Sequence, residues 1–275
     1  MLAAVVEARD PFTGGHLWRM SCFAGLLGEK IGLAEDELIQ LKLGSFVHDI
    51  GKIGVPESIL GKTDHLNEAE YAAVKTHALF GSQLINDHPL ADLFRTIIRH
   101  HHERQDGQGY PDGLADDAIP LHCRIIAIVD AFDAMTSTRP YRRNMPVGQA
   151  LYRLKQQRDR QFDGALIEHF LELGEAGELE PIVRHSSAGI PMVNCDHCGP
   201  VVAASGAVKD GDFIYCKVCG GEFRLHHNSG SFVAEPTGGH GAARQLQPEV
   251  DEAPIDELVK QASRALVIAP PLTGY

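Results

Sequence analysis

The sequence predicts a mainly α protein, a helical bundle with a small β module appended. Three observations carry that prediction. From residue 1 to about 184 the chain reads as long segments of helical periodicity, punctuated by Gly and Pro and almost free of strand-like alternation. After Arg184 short β-type runs appear, such as Phe213-Ile214-Tyr215 and Glu222-Phe223-Arg224-Leu225. That second part also holds two Cys-x-x-Cys pairs, Cys195/Cys198 and Cys216/Cys219.

Each element has a local reason. Asp10-Pro11 ends a short first helix, because a residue before proline is pushed out of the α region. Gly15 to Ile31 is helical and stops at Gly32, which can take the left-handed conformation of a C-cap. Ala34 to Val47 puts Leu38, Leu41, Leu43, Phe46 and Val47 on an apolar side. Asn67-Glu68-Ala69-Glu70 resembles a capping box and opens a helix to about Asp87. Further helices are expected over Leu90–His102, Leu121–Ser137, Val147–Gln157 and Asp163–Leu173, with a Gly-, Asp- and Pro-rich loop between His102 and Pro120. Ser186-Ser187-Ala188-Gly189 is a linker, residues 190–227 are the β module, and 228–275 are a flexible tail in which Asp256–Val267 has the pattern of a short amphipathic helix. The division is therefore 1–184, 190–227 and 228–275.

Composition narrows the classes of function. Of 275 residues, 44% are hydrophobic and 23% charged, as in an ordinary globular protein. No apolar run approaches the ~18 residues of a spanning helix, and the amino terminus lacks a basic-then-apolar leader, so a cytoplasmic location without membrane association is the expectation. The net charge of −12 argues against nucleic acid as a partner. The unusual figure is 15 histidines, because histidine is the commonest metal ligand. The chain begins fifteen residues before His16, so regulation is expected through the cysteine module, the tail or oligomerisation.

The strongest local feature is His48-Asp49-Ile50-Gly51-Lys52 at the end of an apolar helix. Read alone, the pair is either a satisfied polar pair or a metal-binding corner. It is not alone. His16 lies one helix earlier, His77 inside the next helix, and His100-His101-His102-Glu103 at the end of the one after that. Asp130 sits in the apolar run Ile125 to Asp133, where an unpaired carboxylate would be costly. Five consecutive helices each bring His or Asp to apolar surroundings, which is how bundles build metal sites.

At these residues the chain resembles the HD superfamily of metal-dependent phosphohydrolases: His48-Asp49, with His16 before it and Asp130 after it, fits that pattern. The run His101-His102-Glu103-Arg104-Gln105-Asp106-Gly107-Gln108-Gly109-Tyr110-Pro111 resembles the signature of its HD-GYP subgroup, as do Ile50 to Pro56 and Thr138-Arg139-Pro140-Tyr141-Arg142. The resemblance covers residues 1 to about 184 and implies an HD-type helical bundle.

It implies a first metal on His16, His48, Asp49 and Asp130, a second on His77, His101 and His102, and Asp49 bridging the two. The mixed N/O ligand set suits iron, manganese or similar divalent ions without singling one out. Two such ions would share a hydroxide that attacks phosphorus, available near neutral pH because metals lower the pKa of bound water. Lys52 would add positive charge at the phosphate. His100 is expected outside the ligand set, and Glu103 and Asp106 are expected to orient ligands or brace the loop. Some members use a third metal, held by a glutamate four residues before the first histidine; here that position is Phe12, which cannot ligate. Two catalytic metals are the expectation.

The implied substrate is cyclic di-GMP, opened to linear pGpG and in some relatives onward to GMP. Tyr110 would stack on a guanine or touch a phosphate, and Arg139 and Arg142 would clamp the second phosphate. The main alternative is a cyclic-dinucleotide receptor with little turnover; hydrolysis of another cyclic dinucleotide or of a phosphomonoester is a third.

The two cysteine pairs are separated by 17 residues, the spacing of a four-cysteine zinc ribbon. Cys195, Cys198, Cys216 and Cys219 would hold one structural zinc, and so small a module would depend on it for folding. A homodimer contact or a protein partner are among the roles the sequence leaves open for this ribbon. His197, His226 and His227 are spare, and Cys22 and Cys123 read as small buried residues.

Overall fold

The computed structural model describes residues 15–62, 64–137 and 145–183, and in the C-terminal part 185–187, 190–191, 193–195, 201–202, 208–216, 219–228, 231–246 and 260. Eight helices are described: α1 (His16–Lys30), α2 (Glu35–Val47), α3 (Glu57–Leu60), α4 (Glu68–Leu84), α5 (Ala91–His100), α6 (Leu121–Thr136), α7 (Val147–Gln156) and α8 (Gly164–Glu175). A 3-10 turn, Ile50–Gly54, links α2 to α3. The first helix expected before Pro11, the third-metal position Phe12, the pair Arg139 and Arg142, Cys198 and nearly all of the segment Asp256–Val267 lie outside the described residues.

The helix ends follow the expected chemistry. Gly32 takes φ +78° just beyond α1, a conformation open to glycine at no steric cost. The Asn67 side chain accepts from Glu70 N at 2.9 Å while Glu70 Oε2 accepts from Asn67 N at 2.8 Å, so both halves of the capping box on α4 are made. Asp163 caps α8 by accepting from Ala165 N and Leu166 N. Helix α4 stops at Leu84, one turn short of Asp87. The one-turn helix α3 was not legible in the sequence.

The core lies between α1, α6, α7 and α8. Phe23 of α1, Phe132 of α6 and Phe170 of α8 are fully buried and meet edge to face, with Phe23–Phe132 centroids 5.1 Å apart and Phe132–Phe170 5.0 Å apart. Such pairs stabilise by roughly 1 kcal/mol beyond their area. Ile125, Ile126, Ile128 and Val129 fill the layer around them, so α6 is the central helix.

The C-terminal part is β. Strands β1 (His185–Ser187) and β2 (Ile190–Pro191) pair, as do β3 (Val193–Asn194) and β4 (Val201–Val202). Strands β5 (Phe213–Tyr215), β6 (Gly221–Asn228) and β7 (Ser231–His240) form an antiparallel sheet in that order. Strand β7 corrects the reading of residues from 228 onward as a flexible tail. Its Gly and Pro content masks a strand whose pairing is supplied by β6, with Leu225 opposite Ala234 and His227 opposite Phe232. Local composition cannot report such a cross-strand partner. Among the described residues no helix is long and apolar enough to cross a membrane.

Candidate metal centre

Six elements bring His and Asp to one place. His16 opens α1, His48 caps α2, Asp49 leads into the 3-10 turn, His77 lies in α4, His101 and His102 follow α5, and Asp130 lies in α6. A glycine allows the approach. A Cβ on Gly51 would fall 1.9 Å from the His77 carbonyl oxygen, so only glycine lets the 3-10 turn lie against α4. That contact sets Asp49 Oδ1 3.3 Å from His77 Nε2.

Two clusters result, and they share one carboxylate. Ligand-type atoms of Asp49, His77, His101 and His102 lie within 4.8 Å of one another, and so do those of His16, His48 and Asp49. Asp130 Oδ1 comes within 3.9 Å of His16 Nε2.

The imidazoles are aimed by their own helices. His48 Nδ1 lies 2.6 Å from Ser45 O, His77 Nδ1 2.7 Å from Val74 O, and His101 Nδ1 2.9 Å from Ile98 O. A carbonyl only accepts, so each Nδ1 carries the proton and donates it three residues back. Each Nε2 is therefore left unprotonated and faces the centre, where it could take a metal ion. His16 is held by a carboxylate instead. Its Nδ1 lies 2.8 Å from Asp133 Oδ2, and Asp133 is gripped by Arg19 through Nε at 2.5 Å and Nη2 at 3.0 Å.

The electrostatics fit a cation. His48 Nε2 and Asp49 Oδ1 are buried and have no hydrogen-bond partner among the described residues, which is costly unless something positive meets them. Burial opposes ionisation of Asp49, but Lys52 and His48 outweigh it and hold the carboxyl well below its usual range. Burial likewise opposes charge on His48, yet Asp49 outweighs it and raises that imidazole. Burial lowers His77, lowers His101 strongly with help from neighbouring histidines, and pushes His102 down to about 3. These three are neutral at pH 7, the form that binds metal.

A family model described as the HD domain matches residues 1–166, which contain every one of these side chains. The chain belongs to the HD domain family. Among curated proteins, the HD chain is 41% identical over 172 residues to the cyclic di-GMP phosphodiesterase response regulator RpfG of Xanthomonas campestris, covering 62% of this chain and 46% of that protein. It is 39% identical over 150 residues to a 3'3'-cGAMP-specific phosphodiesterase of Vibrio cholerae, covering 54% and 32%. It is 34% identical over 175 residues to a cyclic di-GMP phosphodiesterase of Thermotoga maritima, covering 63% and 48%. The chain thus spans less than half the length of these relatives. A solved structure of a cyclic GMP-AMP-specific phosphodiesterase from V. cholerae matches with a TM-score of 0.51 over 65% of this chain and 49% of that one. At 19% identity that likeness concerns the fold alone.

Around the HD centre the structure sorts the other expected residues. Lys52 Nζ bonds Asp49 Oδ2. Tyr110 lies over His102, with ring centroids 4.8 Å apart. His100 turns away and pairs with Asp112 at 2.8 Å. Glu103 braces the loop by accepting from Asp112 N, Gly113 N and Leu114 N, while Asp106 pairs with Arg104. A cleft of 630 Å³ opens on the centre, its wall including Lys52, Tyr71, Lys75, Tyr110, Asp130 and Gln161. Asp133, Arg19, Tyr71 and Lys75 were missed as site residues in the sequence. The i, i+3 spacing of Asp130 and Asp133, and of His16 and Arg19, is the signal that places each pair on one helix face.

Proposed function

We propose that this HD domain hydrolyses a phosphodiester bond of cyclic di-GMP, releasing linear pGpG, with two divalent ions held by His16, His48, Asp49 and Asp130 on one side and Asp49, His77, His101 and His102 on the other. The observation that carries this is the shared carboxylate: Asp49 belongs to both close clusters. The names of the curated relatives support the substrate class.

Bound there, two divalent cations would supply Lewis-acid charge and a nucleophilic oxygen at neutral pH. The chain's own residues do the rest. The backbone carbonyls behind His48, His77 and His101 fix which nitrogen is presented. Lys52 lies beside Asp49 on the cleft wall and adds positive charge where a phosphate sits. Burial pushes the Tyr110 phenol up, so it stays protonated on the cleft wall. Arg139 and Arg142 complete the proposal as a clamp for the second phosphate.

We further infer a structural zinc on Cys195, Cys198, Cys216 and Cys219. Its support is the clustering of three of the thiols: Cys195, Cys216 and Cys219 place their sulfurs within 4.8 Å of one another, and Cys195 Sγ lies 3.3 Å from Cys219 Sγ. Gly220, at φ +79°, donates its N–H to Cys216 O at 2.8 Å and so holds the backbone next to Cys219 close to Cys216.

The test is a steady-state assay of anaerobically metal-loaded protein with cyclic di-GMP, reading products by chromatography. Product formation is expected. Binding without product would replace the enzyme by a receptor.

A further inference from the structure

Lys75 stands apart from the chemistry described so far. It lies on α4, two residues before His77, and lines the same cleft. Its ammonium sits 4.6 Å from the Tyr71 ring centroid and 5.4 Å from that of Tyr110. Among the described residues no carboxylate pairs with it. The acids of the cleft wall are engaged elsewhere: Glu103 is spent on three loop amides, and Asp130 lies at the His16 end. Lys52 and Arg104, the other cations of the wall, bond Asp49 and Asp106.

The surroundings say what such a cation recognises. Aromatic faces carry negative charge density, which holds an ammonium but disfavours a phosphate wedged against them. A flat purine suits them, since base–aromatic stacking is favourable for every base. The rings also run outward from the ligands: His102 meets Tyr110 at 4.8 Å, and Tyr110 meets Lys75. A cyclic dinucleotide with one phosphate at the centre would need room for its bases in the cleft that these rings line. Guanine presents two acceptors, O6 and N7, on the edge a lysine can reach, whereas adenine presents a donor beside N7.

We propose that Lys75, flanked by Tyr71 and Tyr110, is a base-specificity residue that donates to the O6/N7 edge of a purine stacked in the outer cleft and so favours guanine over adenine. This rests on the proposed hydrolysis of cyclic dinucleotides.

The test compares kcat/KM of metal-loaded full-length wild type, Lys75→Met and Lys75→Arg with cyclic di-GMP and with cyclic di-AMP. Equilibrium binding of the phosphorothioate analogues of both is measured alongside. Lys75 is only half-buried on its helix, and circular dichroism and melting are used to check that the variants fold. In Lys75→Met the guanine-to-adenine preference should fall about tenfold, in kcat/KM and in binding alike, with Lys75→Arg keeping most of it. An unchanged ratio, including the case in which both substrates lose equally as for a phosphate contact, would overturn the assignment. Wild type inactive on both nucleotides would instead defeat the hydrolase reading, and the binding ratio would still decide the role of Lys75.

Discussion

His77 Nε2 and His101 Nε2 face each other at 3.2 Å in a buried space, and neither carries a proton. Both rings keep their proton on Nδ1 and donate it in a hydrogen bond to a backbone carbonyl, and burial favours the neutral form of both. Two lone pairs pointed at one another are repulsive until a cation binds both. His101→Ala should therefore lower bound transition metal by one ion per chain and reduce turnover at least about a hundredfold. Elemental analysis beside the rate assay checks this; unchanged metal content would contradict it.

Asp49 differs from the histidines in belonging to both clusters. Asp49→Asn should remove more than one ion, because an amide oxygen is a poorer bridging ligand than a carboxylate and lacks the charge that meets Lys52. Metal content close to that of His101→Ala would argue that Asp49 serves one ion only.

Acid should destabilise the chelator-treated protein in a defined window. An unfolded histidine takes its proton near pH 6.5, whereas folded His102 resists until about 3, chiefly through burial. His77 and His101 are shifted the same way. Between those limits the unfolded chain holds more protons, so this contribution is complete above about pH 6.5 and is lost as pH falls toward 3. The slope is up to ~1.4 kcal/mol per pH unit for each such histidine. His48, shifted upward by Asp49, works in the opposite direction. Melting temperatures from pH 7.5 to 5.0 should fall, and less steeply in His102→Gln. A slope equal to that of the parent would exclude His102 as a source.

Asp133 holds His16 from behind and is itself held by Arg19. Burial opposes its ionisation, but the Arg19 guanidinium outweighs that and keeps it ionised. Asp133→Asn should weaken one metal by 10- to 100-fold, the usual cost of losing a partner behind a ligating histidine. Competition with a fluorescent chelator measures it, and equal affinity in both proteins would show that His16 needs no such support.

Much of the helical unit was legible because its signals are local. The Asn67–Glu70 box, Gly32 beyond α1 and the His48-Asp49 pair each announce themselves within a few residues. The pairing of His16 with Asp133 spans 117 residues, and Asp133 reads as one more residue of an apolar helix until α1 is packed against it. Lys75 likewise becomes notable only when the loop carrying Tyr110 folds over α4. Strand β7 failed for the same reason, since its partner β6 and not its composition makes it a strand.

The cysteine cluster predicts a separable loss. Cys216→Ser should reduce zinc by one ion and loosen the sheet of β5, β6 and β7, which buries only a small core around Phe223 and Leu225. Cyclic di-GMP turnover should remain. Zinc content unchanged by the substitution would refute the ribbon.

The most direct test of the shared centre is metal stoichiometry and turnover on one anaerobic preparation, with zinc counted separately from the catalytic ions. Two catalytic ions per chain, with cyclic di-GMP converted to pGpG at a rate that falls as either ion is withdrawn, is the predicted result. Full metal loading without any product, or turnover that survives removal of both ions, would contradict it.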